Sequence, residues 1–174
     1  LTMKLQFCSD LHLEYAQNRS WLKDNPILPK GDILVLAGDI YHLDKNYAEL
    51  DFIKWAGDHF ESVYIVPGNH EYYNGFDSAT ALESMHHTIL SNVHILNNKI
   101  IEFEQTQIVF STMWTKIQRE IPAVLSGMAD FKYITFKGAP LTIDQYNALH
   151  ASAAAFLDKA LQVEKPSVVV THHL

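Results

Sequence analysis

Asp32-Ile33-Leu34-Val35-Leu36-Ala37-Gly38-Asp39 decides the fold. Its apolar centre has no polar alternation, which is the pattern of a strand buried on both faces. It closes on a glycine and a carboxylate that a plain core strand does not need. Leu5–Cys8 and Ser62–Val66 are further short apolar runs on either side, the second closed by Pro67-Gly68. Between them Tyr47, Leu50, Ile53, Ala56 and Phe60 recur at spacings of three and four, which predicts a helix with one buried face. Strand, helix, strand in that order predicts a right-handed βαβ unit in a parallel sheet. A second helix is expected from about Asp77, with Leu82, Met85 and Ile89 facing inward.

Further along, residues 93–96, 100–103 and 108–110 read as short strands joined by polar turns at Asn97-Asn98 and Gln105-Thr106, hence antiparallel hairpins. Residues 115–140 have no clean period and read as a lid or binding loop. Thr142 with Gln145 forms a capping box for a helix whose buried stripe is Leu149, Ala153, Phe156 and Ala160. Ser167–Thr171 reads as a buried strand running into His172-His173 at the end of the chain, so the full protein is expected to continue.

Composition narrows the function. The 174 residues are 48% hydrophobic and 19% charged, which excludes a disordered chain. No apolar run approaches the roughly 20 residues that span a bilayer. With Cys8 as the single cysteine there is neither an intrachain disulfide nor a thiolate metal cluster, and a cytoplasmic location is the default expectation. A net charge of −7, from 20 acidic and 13 basic residues, argues against binding along a nucleic-acid backbone.

Each strand of the parallel set is followed by polar residues: Asp10-Leu11-His12, Gly38-Asp39, Gly68-Asn69-His70-Glu71 and His172-His173. Ligands of open α/β sheets bind beyond the carboxyl ends of the strands, so the four clusters should meet in one crevice. Carboxylate, amide oxygen and imidazole together suit Mn, Fe, Zn or a similar ion. Taken singly, each cluster also reads as an ordinary turn. Their order, each directly after a strand and about thirty residues apart over the first three, favours a metal site.

Those four blocks resemble the calcineurin-like metallophosphoesterase superfamily, over nearly the whole chain. The resemblance implies a mixed α/β fold, a four-layer αββα sandwich of mixed sheets, with residues 1–174 as one domain. It implies two divalent metal ions: Asp10 and His12 on the first, Asp39 bridging, Asn69 and His172 on the second. His70 is the implied catalytic histidine, and His173 is an additional candidate because the block needs only one ligand. The implied reaction is hydrolysis of a phosphodiester or phosphomonoester by a hydroxide bridging the two metals.

The chain also departs from the family pattern. The family's fifth block, Gly-His-X-His, is not found, so the domain reads as truncated at its C-terminus. Where members often carry an Asp that orients the catalytic histidine, three residues after the bridging Asp, this chain has His42. That leaves His70 without an evident partner. The Arg that protein phosphatases carry nearby is missing too, which favours a small bacterial-type phosphoesterase. The substrate implied is a small phosphate ester. Trp114, Phe131 and Tyr133 would suit a nucleotide if they line the pocket, although packing the lid is their more ordinary role. No membrane partner is expected, and the oligomeric state is not legible. The competing reading is a non-catalytic scaffold or binding module on the same fold.

Overall fold

The computed structural model describes residues 3–173; Leu1, Thr2 and Leu174, which entered the sequence reading only as the limits of the chain, lie outside it. A five-stranded sheet is ordered β1-β2-β3-β5-β4, from Leu5–Cys8 (β1), Ile33–Ala37 (β2), Ser62–Val66 (β3), Met85–Leu90 (β4) and Val93–Asn97 (β5). The first three strands and β5 run parallel, and β4 pairs antiparallel with β5. A three-stranded sheet joins Lys99–Glu102 (β6), Gln107–Ser111 (β7) and Ser167–Thr171 (β10) in the order β10-β7-β6. Thr135–Phe136 (β8) and Ala139–Pro140 (β9) form a small hairpin.

The two main sheets face one another. Val35, Tyr64, Val66 and Leu96 of the larger meet Ile108, Phe110 and Val170 of the smaller. Side chains alternate across a strand, so Leu34, Leu36, Val63 and Ile65 point the other way, where they bury Ile53 and Ala56 of helix α2 (Asp51–His59). Gln107, on the outer face of β7, donates to the Ala160 carbonyl of helix α5 (Ile143–Ala160) at 3.0 Å. Helix, sheet, sheet, helix is the expected four-layer sandwich. The capping box is also present: Gln145 N–H meets Thr142 Oγ1 at 3.3 Å, and Thr142 N–H meets Gln145 Oε1 at 3.0 Å.

Three expectations need correction, and one element was missed. The helix expected near Asp77 is a 3-10 turn, Ser78–Leu82, followed by strand β4. Met85 and Ile89 are four apart, a separation that shares a face in a strand as well as in a helix, and pairing with β5 decides for the strand. Asn97-Asn98 is not a hairpin turn. It carries the chain from one sheet to the other, where the Asn97 side chain accepts from Thr112 N–H at 2.9 Å. A nine-residue helix α1 (Ala16–Asp24) went unseen because Leu22 is its one buried residue. Finally, β10 is not buried on both faces: it pairs on one side only, and Val168 and Val169 are each 42% exposed.

Residues 115–140 are better ordered than a loop. They hold two short helices, α3 (Ile121–Gly127) and α4 (Asp130–Tyr133), besides the β8–β9 hairpin. No helix among the described residues is long and apolar enough to cross a membrane.

Candidate active site

The ends of β1, β2, β3 and β10 converge. Backbone bonds zip the loop after β1 to the loop after β2: Asp10 N–H to Gly38 O at 3.0 Å, His12 N–H to Asp39 O at 2.9 Å, Leu13 N–H to Ile40 O at 2.8 Å. Asp10, His12 and Asp39 all take left-handed backbone, with φ of 57°, 46° and 57°. Asp and His tolerate this region better than most side chains, yet each instance costs roughly 1–2 kcal/mol. The reward is geometric, since two residues on one turn can face the same point.

The glycines have different reasons. Gly38 has φ +90°, and a Cβ there would lie 2.2 Å from His172 Nδ1. Gly68 needs no special φ. It is a place of close approach, where a Cβ would lie 2.2 Å from Asp39 Oδ1 and 2.7 Å from Asp39 N.

Asp39 is buried at the centre. Its Oδ2 lies 3.8 Å from His12 Nε2, and its Oδ1 lies 3.4 Å from His172 Nε2. Two groups of possible ligand atoms, each within 4.8 Å of one another, share it: His12, Asp39 and His70, and Asp10, Asp39 and His172. These two groups bring together Asp10, His12, Asp39, His70 and His172, with Asp10 grouped with His172 rather than with His12. The Nδ1 of His172 sits 2.9 Å from the Ala37 carbonyl; donating there leaves Nε2 as a lone pair beside Asp39. His173 reaches in as well, with Nε2 3.3 Å from Asn69 Oδ1. Burial, then the neighbouring His172, pushes its imidazole down to about 4, so it stays a neutral donor.

Neither carboxylates, neutral imidazoles nor an amide oxygen alone would identify a cation site; held together around one shared buried carboxylate, they match the donor chemistry of Mn, Fe or Zn. The Asn69 amide is oriented by its neighbours. Its Nδ2 donates to Asp130 Oδ1 at 2.8 Å, which turns its Oδ1 towards His173. Asp130, in α4, also accepts from Tyr73 OH at 2.8 Å and is almost fully buried. Partners that fix a ligand's orientation typically affect metal affinity by about 10–100-fold. Asp130→Ala should therefore weaken the Asn69-side cation by about that factor in a calorimetric Mn²⁺ titration. Unchanged affinity would show that Asp130 does not set the amide.

With this geometry, the profile of the family described as calcineurin-like phosphoesterase matches residues 3–173. The chain belongs to that family. A solved structure of similar fold is the phosphopantetheinyl hydrolase from Mycobacterium tuberculosis, with a TM-score of 0.60, 18% identity and coverage of 98% of this chain and 68% of that one. An uncharacterized protein of Acanthamoeba polyphaga mimivirus is 28% identical over 193 residues, 97% of this chain and 67% of the viral protein.

Three further side chains of this calcineurin-like phosphoesterase were not assigned roles from the sequence. Asp130 is one. Glu71 is the second: fully buried, its carboxylate accepts from Asp39 N–H at 2.9 Å, Ile40 N–H at 2.8 Å and Gly68 N–H at 2.8 Å, bracing both ligand loops. Burial first, and then the charge of Asp39, push its carboxyl up to about 8. The third is Glu14, whose Oε1 lies 3.0 Å from His12 Nδ1 and 3.1 Å from His70 Nδ1. Burial depresses the His70 imidazole, but the Glu14 hydrogen bond and the charges of Asp39 and Glu14 outweigh it, so the net shift is upward.

The aromatic candidates separate. Trp114 is buried against Tyr146 and Tyr72, and Phe131 packs on Tyr146, so both belong to the core cluster that those residues share with Leu149. Tyr133 stays 44% exposed and leans on Tyr73, whose ring stacks on His70 at 4.3 Å.

Proposed function

We propose that this phosphoesterase hydrolyses a small phosphodiester or phosphomonoester with two divalent cations, one on each side of Asp39. The observation that carries the reading is the Asp39 carboxylate itself. Its two oxygens face imidazole nitrogens from opposite ends of the chain, His12 and His172. By the family pattern Asp10, His12 and Asp39 would hold one cation, and Asp39, Asn69 and His172 the other, with His173 as a further donor beside Asn69; in this structure Asp10 groups with His172 and His12 with His70 around the same shared carboxylate. Such a pair neutralises the ester's charge and lowers the pKa of a bound water.

The chain's own residues do the rest. Asp39 brings the two sides together, and Glu71 holds the backbone under it. The His70 N–H donates to Asp39 Oδ1 at 3.0 Å, which fixes that residue's backbone beside the shared carboxylate. Its ring carries the proton that goes to the leaving oxygen as the P–O bond breaks. The exposed Tyr133 offers a face for the organic part of the ester.

The test is turnover of bis-p-nitrophenyl phosphate with Mn²⁺, Fe²⁺, Zn²⁺ or Co²⁺, alongside counting of bound metal per chain. Cyclic nucleotides, phosphomonoesters and a phosphopantetheine ester, the group named for the solved protein of similar fold, complete the panel. Bound metal with no turnover of any ester would leave the scaffold reading standing.

His70→Ala should keep metal and lower kcat by about 10²–10⁴-fold, the range for a lost general acid. The loss should shrink with p-nitrophenolate, which leaves without a proton. A loss independent of the leaving group would remove His70 from the acid role.

A further inference from the structure

We propose that Glu14 is the positioning residue for His70, one of its carboxylate oxygens holding the Nδ1 of both His70 and His12 so that His70 presents Nε2 to the reacting phosphate and His12 presents Nε2 to the Asp39 side. The inference rests on the functional reading above, and its geometry stands independently.

Glu14 lies two residues past His12, on the turn that leads into α1. Its Oε1 is 3.1 Å from His70 Nδ1 and 3.0 Å from His12 Nδ1, and the two rings meet edge to face with centroids 4.4 Å apart. A carboxylate can only accept, so both nitrogens must donate. That fixes the tautomer of each ring. On His12, Nε2 becomes a lone pair directed at Asp39 and its cation. On His70, Nδ1–H stays with Glu14, and Nε2 becomes the site that takes up a second proton, forming the imidazolium, and delivers it to the leaving oxygen.

The carboxylate is committed to this task. Its Oε2 is buried with no hydrogen-bond partner among the described residues, so the side-chain bonds it makes run through Oε1 to the two histidines. The backbone beneath is clamped, because Arg19 Nη1 donates to the Glu14 carbonyl at 3.1 Å and also to that of Leu13. His42 does not compete. Its Nδ1 accepts from the Asn74 amide at 2.7 Å, so its proton sits on Nε2 and it has no acceptor to offer His70. The carboxylate that family members often carry at the position of His42 is thus replaced by one that reaches His70 across 56 residues.

The experiment compares Glu14→Ala, Glu14→Gln, His70→Ala and the Glu14→Ala/His70→Ala double variant at saturating Mn²⁺. With esters of poor leaving groups, Glu14→Ala should lower kcat by about 10–100-fold, the usual scale for a lost orienting partner. With p-nitrophenyl esters it should lose much less. Glu14→Gln keeps an acceptor oxygen and should recover part of the loss. In the His70→Ala background, Glu14→Ala should cost nothing more, as expected when two residues act as one unit. Nitrogen-15 NMR of labelled histidines supplies a readout that needs no turnover. In the unsubstituted protein His70 should carry its proton on Nδ1, and in Glu14→Ala the ring should move towards the Nε2–H form. An unchanged His70 spectrum in Glu14→Ala, or a kcat loss that is independent of the leaving group and additive with His70→Ala, would overturn the proposal. If no ester is hydrolysed, the catalytic reading fails and the NMR comparison alone decides whether Glu14 holds His70.

Discussion

Asp39→Asn is expected to lose metal and activity together while folding at least as well as the unsubstituted protein. The substitution keeps shape and one acceptor oxygen for His70 N–H, and removes only charge. A unit charge about 4 Å from another is worth about 4 kcal/mol at an effective dielectric of about 20, which is roughly 10³-fold in affinity for each cation beside it. Stability should move the other way without metal. Asp39 is buried against Glu71 and is the second cause, after burial, of that residue's raised pKa. Above about pH 8, where Glu71 is ionised as well, removing one of two buried like charges relieves the pair. Metal-free Asp39→Asn should therefore melt no lower than the metal-free parent, and should gain nothing when Mn²⁺ is added. Calorimetric melting with and without Mn²⁺, together with metal analysis, reads both effects. Tight retention of two ions by Asp39→Asn would sink the bridging role.

Glu71→Ala should fail in the opposite manner, by unfolding. Three buried backbone N–H groups, those of Asp39, Ile40 and Gly68, would be left without acceptors. Each unsatisfied group costs about 1–3 kcal/mol, so the total is at least about 3 kcal/mol against a typical domain stability of about 5–15. For a chain of this size that corresponds to a fall of roughly 10 °C in Tm. Glu71→Gln should fall between, since an amide can accept with one end only. The pH signature is also distinct. The carboxyl sits at about 8 when folded against an ordinary 4.5, so the metal-free folded protein holds a proton that the unfolded chain has already released. That contribution is full below about 4.5 and is lost as pH rises through about 8. Glu71→Gln should abolish this slope. An unchanged melting temperature in Glu71→Ala would show that the two loops do not depend on it.

These two residues also mark what a sequence discloses. Strands β1, β2 and β3 were legible because buried parallel strands are short uninterrupted apolar runs, and each is followed at once by the residues it delivers. Asp39, Asn69, His70 and His172 could be read for that reason. Strand β4 was not, because its inward positions are spaced four apart and fit either period. Helix α1 was not, because it buries a single side chain. Glu14 and Asp130 were hidden for another reason. Each acts through space, on His70 and on Asn69, across 56 and 61 residues, and nothing in the local pattern distinguishes either from a surface acid. Glu71 lay in plain view beside His70, yet its task is to accept backbone hydrogens, and the donors become visible only once the loops are folded.

The bond between His172 and the Ala37 carbonyl joins residues 135 apart in the chain. By topology, the crevice around Asp39 is expected to close late in folding. Closing a segment of that length must precede any contact that rewards it, and parallel pairings of this kind form slowly. Until β10 settles beside β7, the pocket lacks one wall and Asp39 has imidazole on one side only. A cation that requires both walls can favour the finished molecule but cannot guide its assembly. A metal bound there would act as a latch, slowing the escape from the native state and leaving the pace of arrival unchanged.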